Sequence, residues 1–350
     1  MSISSEKLIG IINSSRPNNF EKKWTDLTTD MQQFHFVKTL MGNMRKDVSG
    51  GDGVEFNVVY GTGNNAENVG LFDTASPSQQ DFIAKGKVPF RFTRVSYSLD
   101  ERERQLNTND ASRIIDLIDE RRLCAQQNMA ELIENNFWSK PATSADESTP
   151  FGLFYWLVKT SGKTAIADCG FNGGDPDGFA DGAAGISTST IPRWKNWAGN
   201  YAAVTKADLV LKMRKAHEET FFVSPIKAPT YESNSIENRY QIFCNYSTKS
   251  SLENIGEAQN ENLGRDIASM DGSIVFRKNP IMWIPQLDSD TSNPVYFVNW
   301  DVIKAMCLKG EFFKEVPMKS ATQPRVVSVF TYLSWNTICY NRRRLAVLSV

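Results

Sequence analysis

Asp175, Asp177 and Asp181 crowd the segment Gly173-Gly-Asp-Pro-Asp-Gly-Phe-Ala-Asp181, the most suggestive ligand set in the chain. Carboxylates bind calcium when a twelve-residue loop presents them in turn. Here the spacing departs from that loop and Pro176 interrupts it, so the segment reads as a solvated Gly/Asp loop. Gly61-Thr-Gly63-Asn-Asn-Ala66 lacks the third glycine of a dinucleotide fingerprint and leads into polar residues rather than a helix. No phosphate loop of the GxxxxGK[ST] type occurs. His217, beside Glu218 and Glu219, has residue types suited to acid–base work. It closes an apolar helical face, however, which is the place of a structural histidine.

The five cysteines, Cys124, Cys169, Cys244, Cys307 and Cys339, are odd in number, widely spaced and never form a CxxC pair. That pattern implies reduced, mostly buried thiols rather than a disulfide framework or a zinc site. His35 and His217 are the only histidines, too few for a histidine-based centre. Phe151, Phe154, Tyr155 and Trp156 form an aromatic group that packing into a core or a subunit contact accounts for. No catalytic residue, cofactor site or metal site is assigned, and the expectation is a protein that is not an enzyme.

The 350 residues suffice for one elaborate domain or two, and a net charge of −1 gives no bias towards nucleic acid. The start lacks a secretory apolar region and no apolar run reaches the length of a membrane span. A soluble protein made in a cytosol is expected.

What such a chain uses instead of chemistry is suggested by its elements. Val54-Glu-Phe-Asn-Val-Val-Tyr60 and Lys87-Val-Pro-Phe-Arg-Phe-Thr-Arg-Val-Ser-Tyr-Ser98 both alternate as strands do. In the second run Val88, Phe90 and Phe92 share one parity. Between the runs lie about 26 residues rich in Gly, Asn, Ser and Asp, too many for an ordinary hairpin. An arm of this kind belongs to a protein that reaches its neighbours.

A long helix follows. From Asn109 to Trp138 there is no Gly or Pro, and Ile114, Ile118, Ala125, Met129, Leu132, Ile133 and Phe137 recur at helical spacing. Asp116, Asp119, Arg122, Glu131 and Glu134 are assigned to the opposite, polar face. Asn107 to Asn109 supply cap side chains, and Pro141 blocks continuation. About 30 residues at 1.5 Å each make a rod of about 45 Å.

Elsewhere, residues 1 to about 50 are polar around a short amphipathic segment, Met31 to Met41. Residues 139 to 200 look irregular. A helix is predicted from Thr205 to about Phe222, strands at Tyr240–Tyr246, Ser273–Phe276, Val295–Asn299 and Arg325–Tyr340, and a further helix from about Ser250 to Asn262.

This order resembles the major capsid protein of tailed double-stranded-DNA bacteriophages, the Hong Kong 97-type shell fold. Gly86-Lys-Val-Pro-Phe-Arg-Phe-Thr-Arg-Val-Ser-Tyr97 looks like the returning strand of that family's extended loop, and Asn109 to Trp138 like its spine helix. Asn279-Pro-Ile-Met-Trp-Ile-Pro285, followed by Pro294-Val-Tyr-Phe-Val-Asn-Trp300, resembles a recurring strand, proline turn and hairpin. The likeness runs from about 30 to 350 and rests on element order and texture.

The resemblance implies an α+β fold with an N-terminal arm (1–50), an extended loop (51–98) and a peripheral domain holding the spine helix (99–142). An insertion or elaborated surface loop (143–200), a mainly axial domain (201–310) and a peripheral return strand (311–350) complete it. Phe34, Phe36, Phe72, Phe82, Lys85, Lys87, Phe90, Arg91 and Arg94 are then candidates for contact with neighbouring subunits. Some relatives join a loop lysine to a neighbour's asparagine; most do not, and Lys85 and Lys87 lie in the corresponding region.

The implied function is self-assembly as hexamers and pentamers into an icosahedral virion shell, made in the host cytoplasm. Its partners would be scaffold, portal and decoration proteins, and packaged double-stranded DNA touched without sequence specificity; no membrane is involved. An encapsulin-like compartment shell and a soluble ligand-binding protein or enzyme are the alternatives.

Overall fold

The structure, a computed structural model, describes residues 34–41, 45–61, 68–71, 81–101, 111–222, 240–260, 274–319 and 325–350. In chain order these include α1 (His35–Met41), β1 (Arg45–Val48), β2 (Gly53–Val59), β3 (Ile83–Pro89) and β4 (Arg91–Asp100). Then come α2 (Ala111–Phe137), α3 (Leu153–Trp156), β5 (Gly170–Gly173), β6 (Asn196–Asn200), α4 (Leu209–Thr220), β7 (Tyr240–Cys244) and α5 (Tyr246–Asn260). The last are β8 (Val275–Phe276), β9 (Asn279–Trp283), β10 (Val295–Asn299), β11 (Ile303–Leu308), β12 (Lys314–Lys319), β13 (Val326–Cys339) and β14 (Ala346–Ser349).

β13, rich in β-branched and aromatic residues, organises a five-stranded sheet. Its residues 326–335 pair with β4, 327–332 with β12 and 335–339 with β11. β12 and β11 therefore share the edge opposite β4, and β1 adds in parallel beyond β11. The face carrying Thr93, Thr331 and Leu333 is buried, and α2 lies on that side, tied by Arg122 to Glu315 (2.7 Å) and by Arg121 to the Ser98 carbonyl (2.9 Å).

The second sheet has seven strands in the order β5-β6-β14-β10-β7-β9-β8. Strand alternation sends its side chains into two cores. Ile242, Phe297, Ala346 and Trp197 face α4, which offers Leu209, Met213 and Ala216. Phe243, Tyr296, Val347 and Ala198 face the larger core shared with α2 and the first sheet.

The long helix and long strand follow expectation closely. Within α2, Ala125, Met129, Ile133 and Phe137 are buried, whereas Leu132, placed on the same stripe from the sequence, is exposed. The caps at 107–110 and the segment Met31 to Gln33 lie outside the described residues. The stretch 143–200, expected as an insertion or elaborated surface loop, is irregular in backbone but reaches into the core. Leu153, Trp156 and Trp197 are fully buried there, and β6 lies inside the seven-stranded sheet. Trp156 Nε1 donates to Thr337 Oγ1 at 2.9 Å, so the irregular backbone is fastened to β13. Within 311–350, β14 pairs with β6 and β10 of the second sheet.

Candidate assembly surfaces

β2 and β3 form a separate two-stranded ribbon. Its register puts Val54 opposite Val88, Phe56 opposite Gly86 and Val58 opposite Ala84 on one face. The other face pairs Glu55 with Lys87, Asn57 with Lys85 and Val59 with Ile83. The base is held to the body: Phe56 is buried edge-on against Tyr340 (ring centroids 5.8 Å), and Lys87 N donates to the Ala184 carbonyl at 3.0 Å. Gly86 has a steric cause, since a Cβ there would stand 2.6 Å from the Phe56 ring.

Towards the tip the packing stops and apolar side chains meet water. Val59 is 64% exposed and Leu71 91%, with Phe82 and Ile83 also exposed. Soluble proteins scatter such residues singly; here Val59 and Ile83 face each other at the described end of the ribbon, next to Phe82. Lys85 is ion-paired with Glu55, and Lys87 with Asp52 at 2.6 Å, both in the open. Pairs that exposed contribute little stability, and they set the ribbon's surface charge rather than its fold.

A second open surface is the face of the five-stranded sheet turned away from α2. Phe92 and Arg94 of β4 lie there beside Tyr332 and Phe330 of β13 and Lys314, Val316 and Met318 of β12, while Ser334 on the same face is covered by Glu311. Phe92 is 72% exposed and Met318 51%, while Phe330 and Tyr332 stack at 6.2 Å.

The contact candidates divide accordingly. Phe82, Lys85, Lys87 and Arg94 point outward. Phe34 is half-buried, and Phe72 lies outside the described residues. Phe36, Phe90 and Arg91 are corrected to interior roles. Phe36 stacks on Phe137 with centroids 3.9 Å apart, Phe90 sits in the main core, and Arg91 donates to the Asp146 carbonyl at 3.0 Å. Side chains so enclosed have no surface left for a neighbour. Phe92, Val59 and Leu71 were the missed exposures. The common parity of Val88, Phe90 and Phe92 breaks where β3 ends at Pro89 and β4 starts a new sheet, leaving Arg91 and Thr93 inward.

The suspected chemical motifs take structural parts. Asp175 accepts from Thr188 N (2.9 Å) and Ser187 Oγ (3.1 Å), and among the described residues no three His, Cys, Asp or Glu side chains converge as a metal site. The aromatic group packs inward, with Tyr155 stacked on Phe151 at 4.0 Å and its hydroxyl accepting from Ala184 N at 2.8 Å.

No family model matches the sequence, and no curated protein matches it. Solved structures do. The capsid asymmetric unit of cyanophage A-1(L) is similar at 15% identity and a TM-score of 0.62, covering 96% of this chain and 98% of that one. The capsid of the native GTA particle is similar at 12% identity and 0.53, covering 96% and 97%. The holo-SrpI encapsulin complex of Synechococcus elongatus PCC 7942 is similar at 10% identity and 0.50, covering 100% and 96%. The chain has the α+β fold of these capsid and encapsulin chains over almost its whole length.

Proposed function

We propose that this chain is a major capsid protein of a tailed double-stranded-DNA bacteriophage, a structural protein that assembles into an icosahedral shell. The observation that carries the reading is the end-to-end likeness to the cyanophage A-1(L) capsid, which covers 96% of this chain and 98% of that one. The architecture supports it: a ribbon anchored at its base, with exposed apolar side chains where its described strands end, suits a subunit that overlaps its neighbours. On this reading the five-stranded sheet with α2 is the peripheral domain of a Hong Kong 97-type subunit, and the seven-stranded sheet the axial one.

The ribbon tip and the open sheet face are a complementary pair for such an overlap. Residues 61–83 carry Glu67, Asp73 and Asp81 and no lysine or arginine. The open face presents Arg94 and Lys314 around Phe92. Many such contacts, each weak, sum to a stable container. A net charge of −1 fits an inner wall that does not grip packaged DNA by its phosphates.

The encapsulin likeness supports a second reading, a compartment shell filled with protein. The test is light scattering on a sizing column with negative-stain imaging of the same peak. Closed shells or capsomer rings are expected, formed alone or on co-expression with a scaffold protein. Deleting residues 64–80 should leave a folded subunit that assembles poorly. A monodisperse monomer under every condition would overturn the shell reading, and full-sized stable particles from the deletion would overturn the interlocking role. Particles recovered with a specific protein cargo would favour the compartment.

A further inference from the structure

The end of α4 and the β8–β9 turn meet at His217 and Glu218. The His217 ring stacks on Phe221 (centroids 5.0 Å, planes at 18°) and is flanked by Tyr240 at 6.2 Å and Phe276 at 6.3 Å. Its Nδ1 lies 3.1 Å from a guanidinium nitrogen of Arg277, which is also ion-paired with Glu218. A guanidinium only donates, so Nδ1 accepts and the ring proton sits on Nε2. The contact therefore requires a neutral imidazole.

What Arg277 holds is a turn of unusual composition. Arg277 and Lys278 both have left-handed backbones, with φ of 49° and 69°. Two-residue hairpins with this geometry ordinarily use Asn-Gly or Gly-Gly, because a Cβ is disfavoured there. Side-chain bonds from Arg277 to α4 hold the strained pair in place. β8, only two residues long, is the last strand of the seven-stranded sheet among the described residues, so the turn borders that end of the sheet.

We propose that His217 is a proton-operated clasp: neutral, it accepts from Arg277 and holds the β8–β9 turn; protonated, it repels the guanidinium and lets the turn relax. The charged groups facing His217 among the described residues are Glu218 from its own helix and Arg277 from the hairpin. β7 brings only Tyr240, whose hydroxyl donates to the Thr220 carbonyl at 3.0 Å. Burial first, and Arg277 second, hold the imidazole below its ordinary value of 6.5, outweighing Glu218. The unfolded or released imidazole thus takes up a proton before the clasped one does. The hold is fully present above that ordinary value and is lost as pH falls through the window beneath it. This inference is independent of the shell reading.

Hydrogen exchange of the full chain at about pH 5 and about pH 7.5, corrected for intrinsic rates, tests it. Protection across residues 275–283 should fall about tenfold in acid while residues 295–299 keep theirs. His217→Gln, which retains an acceptor that cannot titrate, should remove the pH dependence. Equal protection of the wild type at both pH values, or an unchanged dependence in His217→Gln, would overturn the clasp. If that variant does not fold, nitrogen NMR of the wild-type histidines decides. An Nε2–H tautomer titrating below 6.5 is expected for His217, and an Nδ1–H tautomer or a higher value would overturn the assignment.

Discussion

The carboxylate of Glu134, on the long helix α2, accepts the backbone N–H of Phe36 at 2.9 Å from 98 residues away. It also accepts Val37 N at 3.0 Å and Trp138 Nε1 at 2.8 Å, and the residue is only 1% exposed. The first amides of a helix have no partner within it. Glu134 supplies one to α1 while Phe36 plugs the core beside it, so this part of the arm is built into the body. Among the described residues no cation pairs with the carboxylate.

Glu134→Ala should therefore cost about 3 kcal/mol in urea unfolding, because it strands buried donors. Glu134→Gln should cost less, since its oxygen still accepts while its amide faces other donors. Burial pushes the carboxyl above its ordinary value of 4.5, against the pull of the amides and the indole. The folded protein then keeps a proton that the unfolded chain has released. That contribution is complete below the ordinary value and fades as pH rises through the raised one. A wild-type minus Glu134→Gln difference that is flat from about pH 4 to about pH 8 would contradict this assignment.

Gly86→Ala should loosen the ribbon base. The new Cβ meets the Phe56 ring at 2.6 Å, and overpacking of this kind costs about 1–3 kcal/mol. Because the clash has a single partner, Phe56→Leu should recover part of the loss in the double variant. Additive losses in that cycle would mean that Gly86 is needed for another reason.

Elements whose cause is local were readable in the sequence. α2 ends within a residue or two of expectation because nothing breaks its period between Asn109 and Trp138, and β13 declares itself by composition. Glu134 was assigned to the polar face because a carboxylate reads as solvated unless its acceptor role is visible, and that role is set by α1. The burial of Leu153 and Trp156 within 143–200 was hidden from the sequence for the same reason. The order of this stretch comes from distant partners, such as Phe151 N donating to Asn336 Oδ1 at 2.8 Å, which leave no periodicity behind. The ribbon was visible as two alternating runs, but the depth to which its base is buried was not.

Arg342 extends the argument to a buried cation. Its Nε donates to the Trp156 carbonyl at 2.8 Å, and one Nη to the Gly174 carbonyl at 2.9 Å and Asn196 Oδ1 at 3.1 Å. Complete burial pulls the guanidinium down to about 10, so it stays charged at neutral pH among oxygen dipoles. Arg342→Lys should cost about 3 kcal/mol, because one ammonium cannot span acceptors that a planar fork reaches together. A loss under about 1 kcal/mol in urea titration would mean that water takes over these carbonyls.

Thiol reactivity gives a direct check on the core. Cys169, Cys244, Cys307 and Cys339 are buried, and Cys124 on α2 is exposed. Burial pushes the Cys244 and Cys307 thiols up to about 12, which leaves almost no thiolate to react near neutral pH. The unassembled native subunit should therefore show one fast thiol with a disulfide reagent, and full reaction only in denaturant. Cys124→Ser should remove the fast phase entirely. A fast thiol remaining in that variant would mean that one of the two cores opens on the timescale of labelling. Loss of the Cys124 signal on assembly would place that side of α2 against a neighbouring subunit.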